Sequence, residues 1–231
     1  PGAWTREQLG WGSFVDLAPD TDHGTLTLRS PADGGDIYRY RVPGTDTYYL
    51  LEYRGRTAFD GSIPAEGLLV WQIDDAVIRA RVGVNEINRD GSRMGVWIRQ
   101  ADGRGELARE SGGNRGDSGD PFPGSTGQTE FHARTAPASL IHGGAPAMLT
   151  IQDIALVGDG VSARVSTAPV RLTLASQGAG GGALFEVDGV QVSDGHVAEL
   201  APFQSVSVGA AGGEVLGEGV RSGFERWSDG S

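Results

Sequence analysis

The chain has 231 residues, room for one large domain or a medium one with a small companion. A formal net charge of −11 excludes a nucleic-acid binder, which needs a basic footprint to displace counterions, and the lack of cysteine excludes disulfides, zinc ribbons and thiol catalysis. The 38 glycines argue against a helical bundle, because glycine weakens helices and supplies the positive φ angles that turns need, so short strands joined by turns are expected.

Residues 4–11, with Trp4, Leu9 and Trp11, read as a short helix stopped at Gly10. Residues 26–28 alternate as a strand. Residues 37–42 alternate again, with Tyr38 and Tyr40 on one face, before Pro43-Gly44 turns the chain. Residues 48–53 form a further strand, and 67–73 carry the continuous apolar run of a doubly buried one. Asp74-Asp75 caps a short helix over 76–82, a reading preferred to a carboxylate acid/base pair because helical sequence follows at once. Residues 94–99 read as a strand. Trp4, Trp11, Trp71 and Trp97 are read as core.

From 103 to 146 the composition turns to Gly, Ser, Asp, Pro and Arg, and apolar residues thin out. The stretch is too long for an ordinary loop, so it is either disordered or held by something other than a hydrophobic core. Strand patterning resumes at 147–154 and 161–165, with Gly158-Asp159-Gly160 as the hairpin turn. Thr167-Ala168-Pro169 reads as a boundary. Beyond it, strands are expected at 170–174, 183–187, 190–192, 205–208 and 223–227, with turns at 178–182 and Asp188-Gly189. The fold class is therefore mostly β: an antiparallel sandwich or jelly-roll-like domain over 1–167, then a small β-sandwich-like appendage over 168–231.

Two oxygen-rich loops are candidate Ca²⁺ sites, since that ion takes six to eight oxygens from flexible backbone and carboxylates. The first holds Asn114, Asp117 and Asp120, where a bound ion would explain how a core-poor segment stays ordered; a solvated acidic loop is the competing reading. The second holds Asn88 and Asp90, with Asp102 as a further donor, and reads more readily as a simple turn than as an ion site. It begins like an EF-hand loop, but Trp97 stands at the twelfth position where a bidentate Glu belongs. The four histidines His23, His132, His142 and His196 form no pair at the spacing of a zinc helix, and no Gly-x-Ser-x-Gly is present. No apolar run is long enough to span a bilayer, and there is no signal peptide pattern. The abrupt ends at Pro1 and Ser231 are those expected of a fragment or a processed product.

Several segments, taken in order, resemble the immune-inhibitor-A-like metalloproteases, peptidase family M6. They are Ala3-Trp4-Thr5-Arg6-Glu7-Gln8-Leu9-Gly10-Trp11, the run from Tyr48 to Arg54, Phe59-Asp60, the run from Gly67 to Asp74, Gln100-Ala101-Asp102-Gly103, and the run from Asn114 to Phe122. The resemblance covers roughly residues 3 to 166, and the order of the motifs over that span makes it more specific than any one of them. It implies that this chain is the non-catalytic scaffold and substrate-cleft portion of a secreted bacterial zinc endopeptidase. The H-E-x-x-H segment would lie upstream of Pro1, Zn²⁺ would belong to the parent protein only, and this chain alone would be inactive. The expected partners are that upstream catalytic half and a protein or peptide substrate. The family has His where this chain has Gln72, and glutamine cannot replace it as a titrating group. The end of the chain, Phe224 to Gly230, resembles the closing strand of small bacterial surface modules. The alternative reading is a non-enzymatic extracellular binding or surface-assembly module on the same β scaffold.

Overall fold

The computed structural model describes residues 1–57, 60–109, 111–176, 184–210, 215–217 and 220–221. The expected turn at 178–182, the expected strand at 223–227, Phe59 and the Phe224–Gly230 motif lie outside them. The described residues are mostly β, in sheets of largely antiparallel pairing with no barrel. They fall into two compact units, one of Pro1–Ala168 with Ala201–Phe203, the other of the remainder.

The first unit opens with helix α1 (Ala3–Leu9), closed by Gly10 in the left-handed conformation at φ 67°. Strands β1 (Ser13–Asp16), β2 (Asp22–Arg29), β3 (Asp36–Arg41), β4 (Thr47–Arg54) and β5 (Gly67–Asp74) follow. Helix α2 (Asp75–Arg81) is capped by Asp74, whose carboxylate accepts the Ala76 and Val77 amides. Strands β6 (Val96–Ile98), β7 (Thr150–Val157) and β8 (Gly160–Ser166) complete the unit.

These strands make a five-stranded sheet in the order β1-β3-β4-β5-β6, parallel only at β1/β3, and a three-stranded sheet in the order β2-β8-β7. Alternation along β4 separates two cores. Tyr49, Leu51 and Tyr53 join Leu68 and Val70 of β5 and the inner residues Leu28, Ile151, Val161, Ala163 and Val165 of the smaller sheet. Tyr48 and Leu50 face the other way, onto Ala3 and Trp4 of α1, Ile78 of α2 and Trp71. Both faces of β4 are thus covered, so β4 rather than β5 is the most deeply buried strand.

The segment expected to lack a core contributes two of the largest wholly buried side chains, Phe122 and Phe131. Each ring meets its neighbours edge-on, Phe131 against both Tyr49 and Phe122 at centroid distances of 5.9 Å. Phe122 exchanges two backbone bonds of 2.9 Å with Leu68 at the start of β5. A Cβ at Gly67 would stand 2.4 Å from the Phe122 carbonyl oxygen, so only glycine permits that approach. Trp11 departs from the core reading: it is 55% exposed.

In the second unit, strands β9 (Val170–Leu174), β10 (Leu184–Val187), β11 (Val190–Ser193), β12 (His196–Leu200), β13 (Val208–Ala210), β14 (Val215–Gly217) and β15 (Val220–Arg221) pair antiparallel. They form a three-stranded sheet β11-β10-β13 and two ribbons, β9/β12 and β14/β15. The strand expected at 205–208 is displaced to Val208–Ala210, where it pairs with Phe185, Glu186 and Val187.

Candidate metal centre

After β6 the chain runs into a loop that is fixed by a second loop from far along the sequence. The Ala101 amide donates to the Asp120 carbonyl at 2.9 Å, and the Asp102 amide to the Gly119 carbonyl at 3.0 Å. Gln100 is buried between them; its Oε1 accepts the Leu107 amide, and its amide nitrogen donates to Asp120 Oδ1. Asp120 Oδ2 in turn accepts the Asp117 amide at 2.6 Å. Asp120 is therefore occupied in holding the loop.

This clamp gathers three carboxylates. One oxygen each from Asp102, Glu106 and Asp117 lies within 4.8 Å of the others. Glu106 arrives on the short 3₁₀ turn Glu106–Ala108, which starts after Gly105. Asn114 sits beside them: its Nδ2 donates to Asp117 Oδ2 at 2.8 Å and more weakly to Glu106 Oε2 at 3.4 Å, and its Oδ1 accepts the Gly116 amide.

The Asp102 side chain is only 2% exposed. Its Oδ1 accepts the Arg104 amide at 3.0 Å, but Oδ2 is buried with no hydrogen-bond partner among the described residues. The Arg104 Nε stands 3.7 Å from that oxygen, an ion-pair distance rather than a hydrogen bond. A buried carboxylate oxygen without a donor is costly unless something positive completes it. Gly119 packs against the same carboxylate, and a Cβ there would stand 2.7 Å from Oδ2.

The donor set fits a hard cation. All three groups are carboxylates, with an amide beside them and no imidazole or thiolate in the cluster, which suits Ca²⁺, Mg²⁺ or Mn²⁺ rather than zinc. Oxygens that all lie within 4.8 Å of one another can share one ion at the Ca²⁺–oxygen distance of about 2.3–2.6 Å.

The other sequence candidates sit differently. Asn88 closes a local loop, donating to the Val96 carbonyl and accepting its amide, both at 2.9 Å, so its side chain serves as a partner strand for the start of β6. Asp90 accepts the Ser92 amide and hydroxyl in a tight turn, and those bonds hold its carboxyl below the usual carboxylate range. Asp90 is not one of the three convergent carboxylates. Glu106 carries no signal in the sequence beyond its place four residues after Asp102.

Among the histidines, His23 approaches the Ala18 carbonyl and the Thr167 hydroxyl. His132 bonds Glu130 and stacks on Phe203 at 4.1 Å. In comparison with known proteins, no family model, no curated protein and no solved structure matches this chain.

Proposed function

We propose that this chain is the non-catalytic scaffold and substrate-cleft portion of a secreted M6-type zinc endopeptidase, and that a structural Ca²⁺ ion at Asp102, Glu106 and Asp117 stabilises it. The observation that carries the cation site is the buried Oδ2 of Asp102, which has no hydrogen-bond donor among the described residues and lies among three converging carboxylates. Contiguity of the motif segments supports the scaffold reading. The run from Tyr48 to Arg54 pairs with that from Gly67 to Asp74, Leu68 bonds Phe122, and Ala101 and Asp102 bond Asp120 and Gly119. Motifs spread from residue 48 to residue 122 thus build one piece of structure.

Calcium tests the site through linkage. An ion that binds only the folded chain, at about a hundred times its Kd, adds roughly 2.7 kcal/mol of stability. For a unit of this size that raises Tm by about 5–11 °C. The expected result is that rise between EDTA and 10 mM CaCl₂ (an excess chosen to saturate a site of roughly 0.1 mM Kd), abolished in Asp102→Asn and Glu106→Gln. A native chain whose melting curve ignores Ca²⁺ refutes the site.

The parentage is tested separately. A precursor carrying H-E-x-x-H upstream of Pro1 supports the protease; one without it favours the extracellular binding module. Chelator-sensitive peptide cleavage by this chain alone would overturn the non-catalytic assignment.

A further inference from the structure

The register of the large sheet places three unusual residues on one face at its β6 edge. Gln72 stands opposite Trp97 across β5 and β6, and the Arg99 amide donates to the Val70 carbonyl at 2.8 Å, two residues along each strand. Side chains two apart on a strand share a face, so Gln72, Trp97 and Arg99 point the same way. They line a cavity of about 180 Å³ together with Arg93, Asp74 and His142.

The polar groups of this cavity do not complete one another. Gln72 Nε2 donates to the Leu140 carbonyl at 2.9 Å, which fixes the amide and leaves Oε1 as a buried acceptor with no donor. The Arg99 guanidinium lies over the Trp97 ring at 4.3 Å and donates from Nη2 to the Ala138 carbonyl at 3.2 Å. Its Nε–H is buried without an acceptor, and among the described residues no carboxylate comes within ion-pair distance of it. Burial also disfavours its charged form. Among the described lining residues the one carboxylate, Asp74, is already taken by Arg93 Nε at 2.9 Å and by two helix amides. In a chain of net charge −11, the residues lining this cavity therefore include a guanidinium in want of an anion and an amide oxygen in want of a donor, both atoms closed off from solvent in the ligand-free protein.

The geometry points to a binding site for a carboxylate that carries an amide N–H next to it, the chemistry of a peptide's C-terminal residue. The carboxylate completes Arg99, with Arg93 at the rim, and the adjoining N–H donates to Gln72 Oε1. A bare anion would satisfy only the arginine, and a neutral amide only the glutamine. The volume is smaller than the 300–1,000 Å³ of a drug-sized pocket, so it admits a chain end rather than a longer segment. This inference is independent of the cation site and of the protease parentage.

The test follows the Arg99 Nε–H and Trp97 indole N–H resonances of the full chain during titration with N-acetylglycine, N-acetylglycinamide and acetate. N-acetylglycine is expected to shift both resonances saturably with a Kd of about a millimolar or tighter, and the other two to bind at least about tenfold more weakly. Arg99→Gln is expected to abolish the response and Gln72→Glu to weaken it about tenfold by repulsion, while Arg93→Gln at the rim changes Kd by less than about threefold. Equal binding of the amide, equal binding of acetate, or no saturation by about 50 mM N-acetylglycine overturns the proposal whatever the variants do. So does an Arg99 Nε–H found bonded to Gln72 Oε1 in the ligand-free protein.

Discussion

Glu52 is 1% exposed, on the face of β4 that packs against α1, so its carboxyl should oppose folding whenever it ionises. Burial pushes it up from an ordinary 4.5 to about 7, against the weaker opposing pull of Arg54, the Trp71 indole donor at 3.2 Å, Arg6 and the Ala3 amide. The folded chain holds this proton more tightly than the unfolded chain. Below pH 4.5 both forms are protonated and the group is neutral in its effect. Between 4.5 and about 7 the unfolded form ionises first, so stability falls as pH rises, at 1.36 kcal/mol per pH unit. Over a gap of roughly 2.5 pH units the loss is about 3 kcal/mol, constant above pH 7. Glu52→Gln keeps the shape and the acceptor for Trp71 while removing the ionisation. Urea unfolding at pH 8 is expected to show the variant more stable by about 3 kcal/mol, a figure that already includes the attraction to Arg54 Nη1 at 3.9 Å. At pH 4.5 the two chains are expected to agree within about 0.5 kcal/mol. A variant less stable than the native chain at pH 8, or a difference that does not change with pH, would refute the reasoning.

Two further outcomes probe the core and the α2 cap. Phe131→Ala empties a wholly buried site against Tyr49 and Phe122, and is expected to lower unfolding free energy by about 3–5 kcal/mol in urea; a loss under about 1 kcal/mol would contradict its place in the core. Asp74→Ala removes the acceptor for two α2 amides and leaves Arg93 unpaired, with an expected loss of about 1–2 kcal/mol. Because the lost contribution is the accepted hydrogen bonds, Asp74→Asn is expected to recover most of it, and equal losses in both variants would deny the capping role.

Local chemistry was readable where neighbours in sequence are also neighbours in space. Gly10 ends α1, Asp74 caps α2, and the turns Gly158-Asp159-Gly160 and Asp188-Gly189 join their strands, because each depends on a few consecutive residues. The mostly β character followed in the same way from alternation and glycine content. In the candidate site, Asp102 and Asp117 stand out in sequence as oxygen donors in Gly-rich loops, but nothing local joins them to Glu106, and nothing local separates them from Asn88 and Asp90, which spend their side chains on Val96 and Ser92.

Tertiary structure decided the rest. The stretch from 103 to 146 reads as core-poor because its apolar residues are few and irregular, yet Phe122 and Phe131 lie at the centre of the sandwich core. No periodicity could announce them, since they are single anchors in irregular backbone. Trp11 reads as core by composition and stands exposed. The solitary Arg99 looks like any surface arginine until the pairing of β5 with β6 sets it on the buried face beside Gln72 and Trp97. Sequence fixes what each residue offers locally, in backbone preference, charge and hydrogen-bonding groups. Which of those offers meet a partner depends on contacts between strands and loops far apart in the chain, and those exist only once it has folded.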